Sequence, residues 1–180
     1  RRCAPKRLLS HLSWLLISVG IILPGMASGD AIYRLTQASS FQEGCFDPCL
    51  CPLTEQRPVP GTFSLRSTGS EGGIDRYAVE GVHWKVSGRD PELRVTGSGT
   101  YTIGSPDVTA VRKHRLELDL RLGESAVEHF DSGWVIGPSL PHIQIQISIH
   151  GMECYDRVFV VDADPVPESQ IQPYTLLDGS

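Results

Sequence analysis

Three stretches of the chain alternate apolar and polar residues, which is the pattern of a β-strand with one buried and one solvated face. From 114 to 122, leucine occupies every second position after His114, and charged residues stand between the leucines. A helix would spread these leucines around most of its circumference, so the pattern excludes a helix there. The stretches 93–103 and 143–150 alternate in the same way.

Weaker patterns predict further strands and bring the expected total to about eight. In one of them the apolar parity shifts by one residue at Glu80 and Gly81, which predicts a β-bulge. Short turns rich in glycine and proline separate the segments, and no helical pattern stands between them, so neighbouring strands are expected to pair as antiparallel hairpins. These weaker segments are 31–38, 61–68, 74–87, 125–131 and 155–163.

The expected fold is therefore an all-β domain over residues 30–164, built from antiparallel strands. Such a set closes as an up-and-down barrel or stacks as a two-sheet sandwich. Several strands of about ten residues slightly favour a barrel. Residues 165–180 contain three prolines and little periodicity, which predicts an extended C-terminal tail.

Residues 1–29 have the three parts of a secretory signal peptide. Basic residues come first, an apolar run follows at 14–23, and the small residues of 27–29 offer a cleavage site. The apolar run is shorter than the roughly twenty residues of a membrane-spanning helix. We expect a signal-peptide helix here and a secreted, periplasmic or cell-surface protein, with a retained N-terminal anchor as the alternative.

Composition is that of one globular domain, with 40% hydrophobic and 21% charged residues and a formal net charge of −5. It excludes a collagen-like repeat, a disordered polyampholyte and a multi-pass membrane protein. All 21 acidic residues lie at or after Asp30 and four of the 16 basic residues precede it, so removal of the leader leaves a charge of −9. Without a concentrated basic surface, we expect no nucleic-acid partner and no membrane contact beyond the leader.

The four cysteines after the leader, Cys45, Cys49, Cys51 and Cys154, indicate two disulfides in an exported protein. A Cys49–Cys51 bond is disfavoured by its geometry. Two connectivities remain, in which Cys45 joins Cys49 or Cys51 and the other cysteine joins Cys154. The long bridge would tie the loop after the first strand to the last strand region, closing about a hundred residues and stabilising by about 4–5 kcal/mol. A four-cysteine zinc site is the weaker alternative, because three cysteines crowd together instead of standing in two pairs.

Five histidines follow the leader, and we expect them to be surface or rim residues, because strand spacing alone does not bring them together. His129 shares a strand face with Asp131, and His150 lies four residues before Cys154. Convergence of two or three histidines on a metal or a proton relay is the alternative. The histidines are His83, His114, His129, His142 and His150.

No segment carries a coherent catalytic motif. Gly97-Ser98-Gly99 lacks the helix that a nucleophile elbow or a dinucleotide loop requires, so it predicts a close approach of backbones. Glu117 and Asp119 share a solvated face with arginines, which favours cross-strand ion pairs over the acid–base pair of a glycosidase. Trp134 lies in a turn-rich segment, where it either covers one end of the fold or stacks on a sugar ring.

The segments FQEGCFDPCLCP, HFDSGW and HGMECYDRVF resemble those of uncharacterised exported bacterial β-proteins, and the resemblance covers most of the chain after the leader. It implies export, a β fold and the same disulfide interpretation. It implies no activity, ligand or catalytic residue.

The sequence therefore predicts an exported, non-enzymatic, disulfide-bridged β-domain that serves as a structural or binding module. We expect no cofactor and no metal, and a partner at the cell surface or outside the cell. A β-barrel that binds a small apolar ligand and, less favoured, a hydrolase acting on polysaccharide are the alternatives. A filled interior would favour the first function, an empty apolar cavity the second and a cleft with paired carboxylates the third.

Overall fold

The computed structural model describes residues 30–52, 55–88, 91–107 and 111–171. Over these residues the all-β prediction is confirmed, because one antiparallel sheet of ten strands and one short 3₁₀ helix at Glu168–Gln170 account for the regular structure. The signal-peptide helix expected at 1–29 lies outside the described residues. The strands are β1 (Ala31–Leu35), β2 (Ser40–Cys45), β3 (Arg57–Pro58), β4 (Gly61–Glu71), β5 (Ile74–Val86), β6 (Leu93–Gly104), β7 (Lys113–Leu122), β8 (Val127–Asp131), β9 (Ile143–Ser148) and β10 (Tyr155–Pro165).

The strand order is ring-like. β1 pairs with β4, the neighbours then follow chain order from β4 to β10, and β10 pairs back onto β1. One side of β10 is shared, since its C-terminal part pairs with β1 and its N-terminal part with β2. Its other side pairs with β9. The hairpin connections predicted between consecutive strands are confirmed from β4 to β8 and for β9 with β10.

β2 and β3 are two strands that the sequence pattern did not predict. In β2 the buried residues are Phe41 and Gly44, three positions apart, so the alternation that marks a strand is missing. Gly44 has a φ of 138°, which departs from regular strand geometry. β3 has only two residues. The long bridge was expected to start in the loop after the first strand, but Cys49, which forms it, lies in the loop after the second strand, β2.

Asp162 on β10 stabilises the break between β1 and β2. Thr36 Oγ1 donates to its carboxylate at 2.5 Å, and Ser39 Oγ donates to its carbonyl oxygen at 2.7 Å. The Asp162 N–H in turn donates to Ser39 Oγ at 3.0 Å. Side chains thus replace the backbone pairing that the break interrupts.

Aromatic rings fill the interior of the ring of strands. Phe159 is central, with ring centroids 4.7 Å from Phe41, 5.3 Å from Phe130 and 5.6 Å from Trp84. Phe63 extends the network, 6.3 Å from Trp84. All five side chains are buried. The inward-facing residues predicted on β7 and β9 are buried as well, which confirms their alternation: Leu116, Leu118, Leu120, Leu122, Ile143, Ile145 and Ile147.

Two glycine predictions are also confirmed. The register of β5 against β6 shifts between Val79 and Val82, and Gly81 has a φ of 59°, as expected of a bulge. A Cβ added at Gly97 or Gly99 would collide with the backbone of β7. The close approach of backbones predicted for this segment is therefore present between β6 and β7.

The ring has one weakly paired seam. Within the described residues, β8 and β9 pair only through Asp131 and Ser148. A cleft of about 430 Å³ follows this seam, lined on one side by Val135 and on the other by Gln146 and Met152.

The described chain starts and ends at the same end of the sheet. The N–H of Val166, just after β10, donates to the carbonyl oxygen of Ile32 at 2.7 Å. Pro165 still pairs with Tyr33, so β10 continues one residue into the predicted tail. The opposite end carries the loop after β2 and the turn between β9 and β10. Among the described residues there is no helix with the length and apolar character needed to cross a bilayer.

Candidate functional site

One disulfide closes the loop after β2 on itself, and a second joins this loop to the turn between β9 and β10. Cys45 bonds Cys51 and Cys49 bonds Cys154, with Cα–Cα distances of 5.1 and 4.8 Å. This confirms the disulfide prediction and selects one of the two connectivities that the sequence left open. Because every one of these four sulfurs is in a disulfide, none is available as a zinc-binding thiolate.

The turn between β9 and β10 is organised by the buried carboxylate of Asp156. It accepts the N–H groups of Ile149, His150 and Met152 at 3.0, 3.1 and 2.7 Å. The N–H of Phe46 donates to the carbonyl oxygen of Cys154 at 2.9 Å, which ties the loop after β2 to this turn. This hydrogen bond and the Cys49–Cys154 disulfide together fix the two segments against one another.

This end presents three exposed apolar side chains, which we name the cystine patch: Leu50, Met152 and Tyr155. Leu50 is fully exposed, at 100%, and the exposed fractions of Tyr155 and Met152 are 55% and 38%. Two exposed acidic residues, Asp47 and Glu153, lie in the same two segments. Sequence reasoning identified the cysteines but missed the patch, because no spacing rule distinguishes an exposed leucine from a buried one beside a cysteine.

Apart from the cystine patch, a cluster of charged side chains lies on the outer face of β7 and β8. Arg115 holds Asp131 through two hydrogen bonds, of 2.9 Å from Nε and 2.6 Å from Nη2, and its Nη2 lies 3.0 Å from Glu117. His129 Nδ1 lies 2.8 Å from the carboxylate of Asp119, directly across the strands. The solvated cross-strand pairing is therefore confirmed for Asp119, with His129 as its partner, whereas Glu117 pairs with Arg115 along its own strand.

Ligand atoms of Glu117, His129 and Asp131 lie within 4.8 Å of one another, a spacing that suits a metal ion. The guanidinium of Arg115 already bonds both carboxylates, so a cation would have to displace it. The same hydrogen bonds from Arg115 lower the pKa of Asp131 below its usual range. Asp131 is therefore held as a carboxylate and is unsuited to donate a proton as a catalytic acid.

His114 is the exception among the histidines. It is buried inside the ring, where Nδ1 lies 2.8 Å from the hydroxyl of Tyr101, and Nε2 has no hydrogen-bond partner among the described residues. Burial lowers the pKa of His114 and raises the pKa of Tyr101. The expectation that all five histidines lie at the surface or rim is wrong for His114, although strand alternation placed it on the same face as the leucines.

The other histidines have separate neighbours. His83 is exposed on β5, and His150 Nδ1 lies 3.2 Å from the carbonyl oxygen of Tyr155. His142 is flanked by two carboxylates, with Nδ1 2.8 Å from Asp164 and Nε2 3.6 Å from Asp162. The structure brings His129 close to Asp131, with which the sequence placed it on one strand face. His114, His142 and His150 each contact different residues and do not converge on one site.

Trp134 is half-buried in the loop between β8 and β9. The next residue, Val135, exchanges two backbone hydrogen bonds of 2.9 Å with His114 and packs against the core. Trp134 therefore precedes a residue that pairs with β7 and packs against the core.

These features define a disulfide-bridged all-β protein with a packed interior and an outer face whose carboxylates are paired with cations. Comparison of the chain with protein-family models, with curated proteins and with solved structures found no match. No relative therefore supplies an activity, a ligand or a site residue.

Proposed function

We propose that this protein is an exported, non-enzymatic β-domain, held by its two disulfides, that acts as a binding or structural module through its outer surface. The observation that carries the proposal is the filled interior. The rings around Phe159 occupy the space in which a β-barrel would otherwise hold a ligand. The surface is what remains for recognition.

The two disulfides support export. Structural disulfides form and persist in oxidising compartments, and they are rare where thiols are kept reduced. The leader pattern of residues 1–29 agrees with such a destination. Both observations favour a secreted, periplasmic or cell-surface location.

We infer further that the ring is a closed up-and-down barrel and not a two-sheet sandwich. The neighbours from β4 to β10 follow chain order, and β1 pairs on both sides, with β4 and with β10. A sandwich would leave open edges between its two sheets. Closure protects the backbone groups that an edge would expose.

The two alternatives are less well supported. An interior apolar ligand would have to displace Trp84, Phe130 or Phe159, each of which is buried in contact with other rings. A polysaccharide hydrolase needs one carboxyl group with a raised pKa beside a second carboxylate. Glu117 and Asp131 do lie opposite one another, but Arg115 bonds both and lowers the pKa of Asp131.

Expression of the full chain with its own leader tests the proposal. We expect the protein outside the cytoplasm, with Cys45, Cys49, Cys51 and Cys154 unreactive toward maleimide until a reductant is added. Native mass spectrometry of the purified protein should give the mass of the polypeptide alone, because the interior is full.

Three results would overturn parts of this proposal. Cytoplasmic protein with reactive cysteines would contradict export. A small apolar molecule that remains bound in native mass spectrometry would favour the ligand-binding alternative. Turnover of a polysaccharide that is lost in Glu117→Gln, and retained in the matched outer-face variant Arg121→Gln, would show an enzyme.

A further inference from the structure

We propose that the cystine patch is a docking surface for a protein partner that presents an apolar pocket flanked by lysine or arginine. The inference rests on the proposed function as a binding module and assigns the surface and the chemistry of the partner. Three observations support it: the exposure of the patch, its rigid support and the charge around it.

Exposure alone would not suffice, because single exposed leucines are ordinary on protein surfaces. Here the fully exposed Leu50 is accompanied by the exposed side chains of Tyr155 and Met152. Leu50 follows Cys49 and Tyr155 follows Cys154, and the Cα atoms of these two cysteines lie 4.8 Å apart. The Cα atoms of Leu50 and Tyr155 are therefore at most about 12 Å apart, since consecutive Cα atoms are separated by about 3.8 Å.

The support of Leu50 is rigid. The cysteines on either side of it, Cys49 and Cys51, each form a disulfide, and these lead to different segments of the fold. The loop therefore cannot fold Leu50 inward, and a partner does not have to order it on binding. Preorganised apolar side chains bind with a smaller entropy loss than those of mobile loops.

The charge around the patch is acidic. Asp47 and Glu153 are exposed beside it. The cation on this part of β10, Arg157, bonds Glu128 at 2.5 and 2.7 Å and lies 3.6 Å from Glu43. Carboxylates outnumber cations here, so a basic partner surface is complementary.

The same charge disfavours other occupants. A second copy of this chain would bring Asp47 and Glu153 against like charges. A membrane surface rich in anionic lipids would repel the acidic rim around Leu50, whereas membrane-binding surfaces are usually basic. A protein with basic residues around an apolar pocket meets both the apolar and the acidic parts of the patch.

Photo-crosslinking in the source cells tests this surface. A benzophenone amino acid is placed in the full chain at Leu50, at Tyr155 and, as controls on other exposed faces, at Ile136 and Ser98. We expect Leu50 and Tyr155 to label the same protein. The labelled peptide should contain apolar residues together with lysine or arginine.

Affinity for the purified labelled protein then tests the energetic role of the patch. Leu50→Ser should weaken binding about tenfold or more, and Ile136→Ser, at another exposed apolar position, should change it less than about twofold. Since Leu50 is fully exposed, Leu50→Ser should leave the midpoint of chemical denaturation unchanged. The affinity should fall with added salt, because complementary charge contributes.

Each other outcome overturns the inference. Labelling of a second copy, of lipid or of a peptide without basic residues shows a different occupant. Labelling from Ile136 or Ser98 alone places the binding surface elsewhere and leaves the proposed binding function in place. An exported chain that labels no protein from any of the four positions contradicts both.

Discussion

At the scale of single residues, His114 is a base kept in an environment that disfavours its charge. Its imidazole is buried, Nδ1 contacts the Tyr101 hydroxyl, and no residue in the described part of the chain hydrogen-bonds Nε2. Protonation would place a positive charge among apolar side chains, with no acceptor for the second N–H. Burial accordingly lowers the pKa of His114 below 6.5 in the folded protein.

This predicts a loss of stability in mild acid. An unfolded chain binds the proton near pH 6.5, before the folded protein does, so the unfolded state holds more protons below that pH. The buried neutral imidazole of His114 therefore has its full stabilising effect above pH 6.5. Its effect on the free energy of unfolding decreases as the pH falls below 6.5, and it stops decreasing below the folded-state pKa. In His114→Gln, the difference in the free energy of unfolding between pH 7.5 and 5.5 should be smaller than in the parent protein. Urea titrations at the two pH values measure it.

The exposed residue His83 provides the control, since His83→Gln removes a histidine from the same kind of strand without removing a buried one. Its pH dependence should follow that of the parent protein. Equal pH dependence in the His114→Gln variant and the parent protein would show that His114 does not carry the effect.

A second prediction concerns Asp131 on the outer face. Because Arg115 holds this carboxylate by two hydrogen bonds, its pKa lies below the ordinary value of 3.8. Arg115→Gln should raise the pKa of Asp131 toward or above that value. Titration of the carboxyl carbon by NMR measures it. Arg121→Gln, an exposed arginine on the same strand, should leave the pKa of Asp131 unchanged, and equal shifts in both variants would refute a direct effect.

At the scale of strands, the approach of β6 to β7 depends on the missing side chains of Gly97 and Gly99. A Cβ at Gly99 would collide with the carbonyl oxygen of Glu117 and the Cα of Leu118. Gly99→Ala must push the strands apart, so we expect a loss of about 1–3 kcal/mol of unfolding free energy. Chemical denaturation measures it.

Ser98 lies between the two glycines with its side chain exposed, and Ser98→Ala is the matched control. It should change the free energy of unfolding by less than about 0.5 kcal/mol. If Gly99→Ala were as stable as Ser98→Ala, the close approach of β6 and β7 would have no energetic role.

The strands themselves show what a sequence can predict. β7 and β9 were predictable because burial on one face forces apolar residues to every second position. β2 was not, because Gly44 contributes backbone instead of a side chain to the buried face, and β3 is too short to show any period. The break between β1 and β2 depends on hydrogen bonds to Asp162, which is 123 residues away from Ser39 in the chain.

Some features of the candidate sites could likewise be predicted from the sequence, and others could not. Residue types predicted disulfides and cross-strand ion pairs, since cysteine and opposite charges have few other partners in such a fold. The pairing of Cys45 with Cys51, and the full exposure of Leu50, depend on where β2 ends relative to β10. Local spacing holds no information on that distance. His114 was placed on the inward face by alternation, but its partner Tyr101 belongs to another strand.

At the scale of the whole molecule, the two disulfides should differ in their contribution to stability. Cys49 and Cys154 are 105 residues apart, whereas Cys45 and Cys51 are separated by six. Chain entropy assigns about 5 kcal/mol to a loop of the first size and about 2 kcal/mol to one of the second. We therefore expect Cys49→Ser with Cys154→Ser to lower the free energy of unfolding more than Cys45→Ser with Cys51→Ser.

Replacing both partners of a bridge leaves neither of its cysteines unpaired to exchange with the remaining bridge, so the two double variants are matched. Denaturation of each, compared with the parent protein, measures both losses. A larger loss from the short bridge would show that contacts in the native loop, and not closure of the long chain segment, dominate the effect.

The hydrogen bond from Val166 to Ile32 has a consequence for how this molecule can be held. β10 spans eleven residues between that bond and the turn that bears Cys154, a length of about 35 Å. A bead, a biosensor chip or a fluorescent fusion joined near residue 30 or 171 is therefore attached at the end of the sheet opposite Leu50. The protein would then be held with Leu50 directed away from the support, and attachment near either residue would give this orientation.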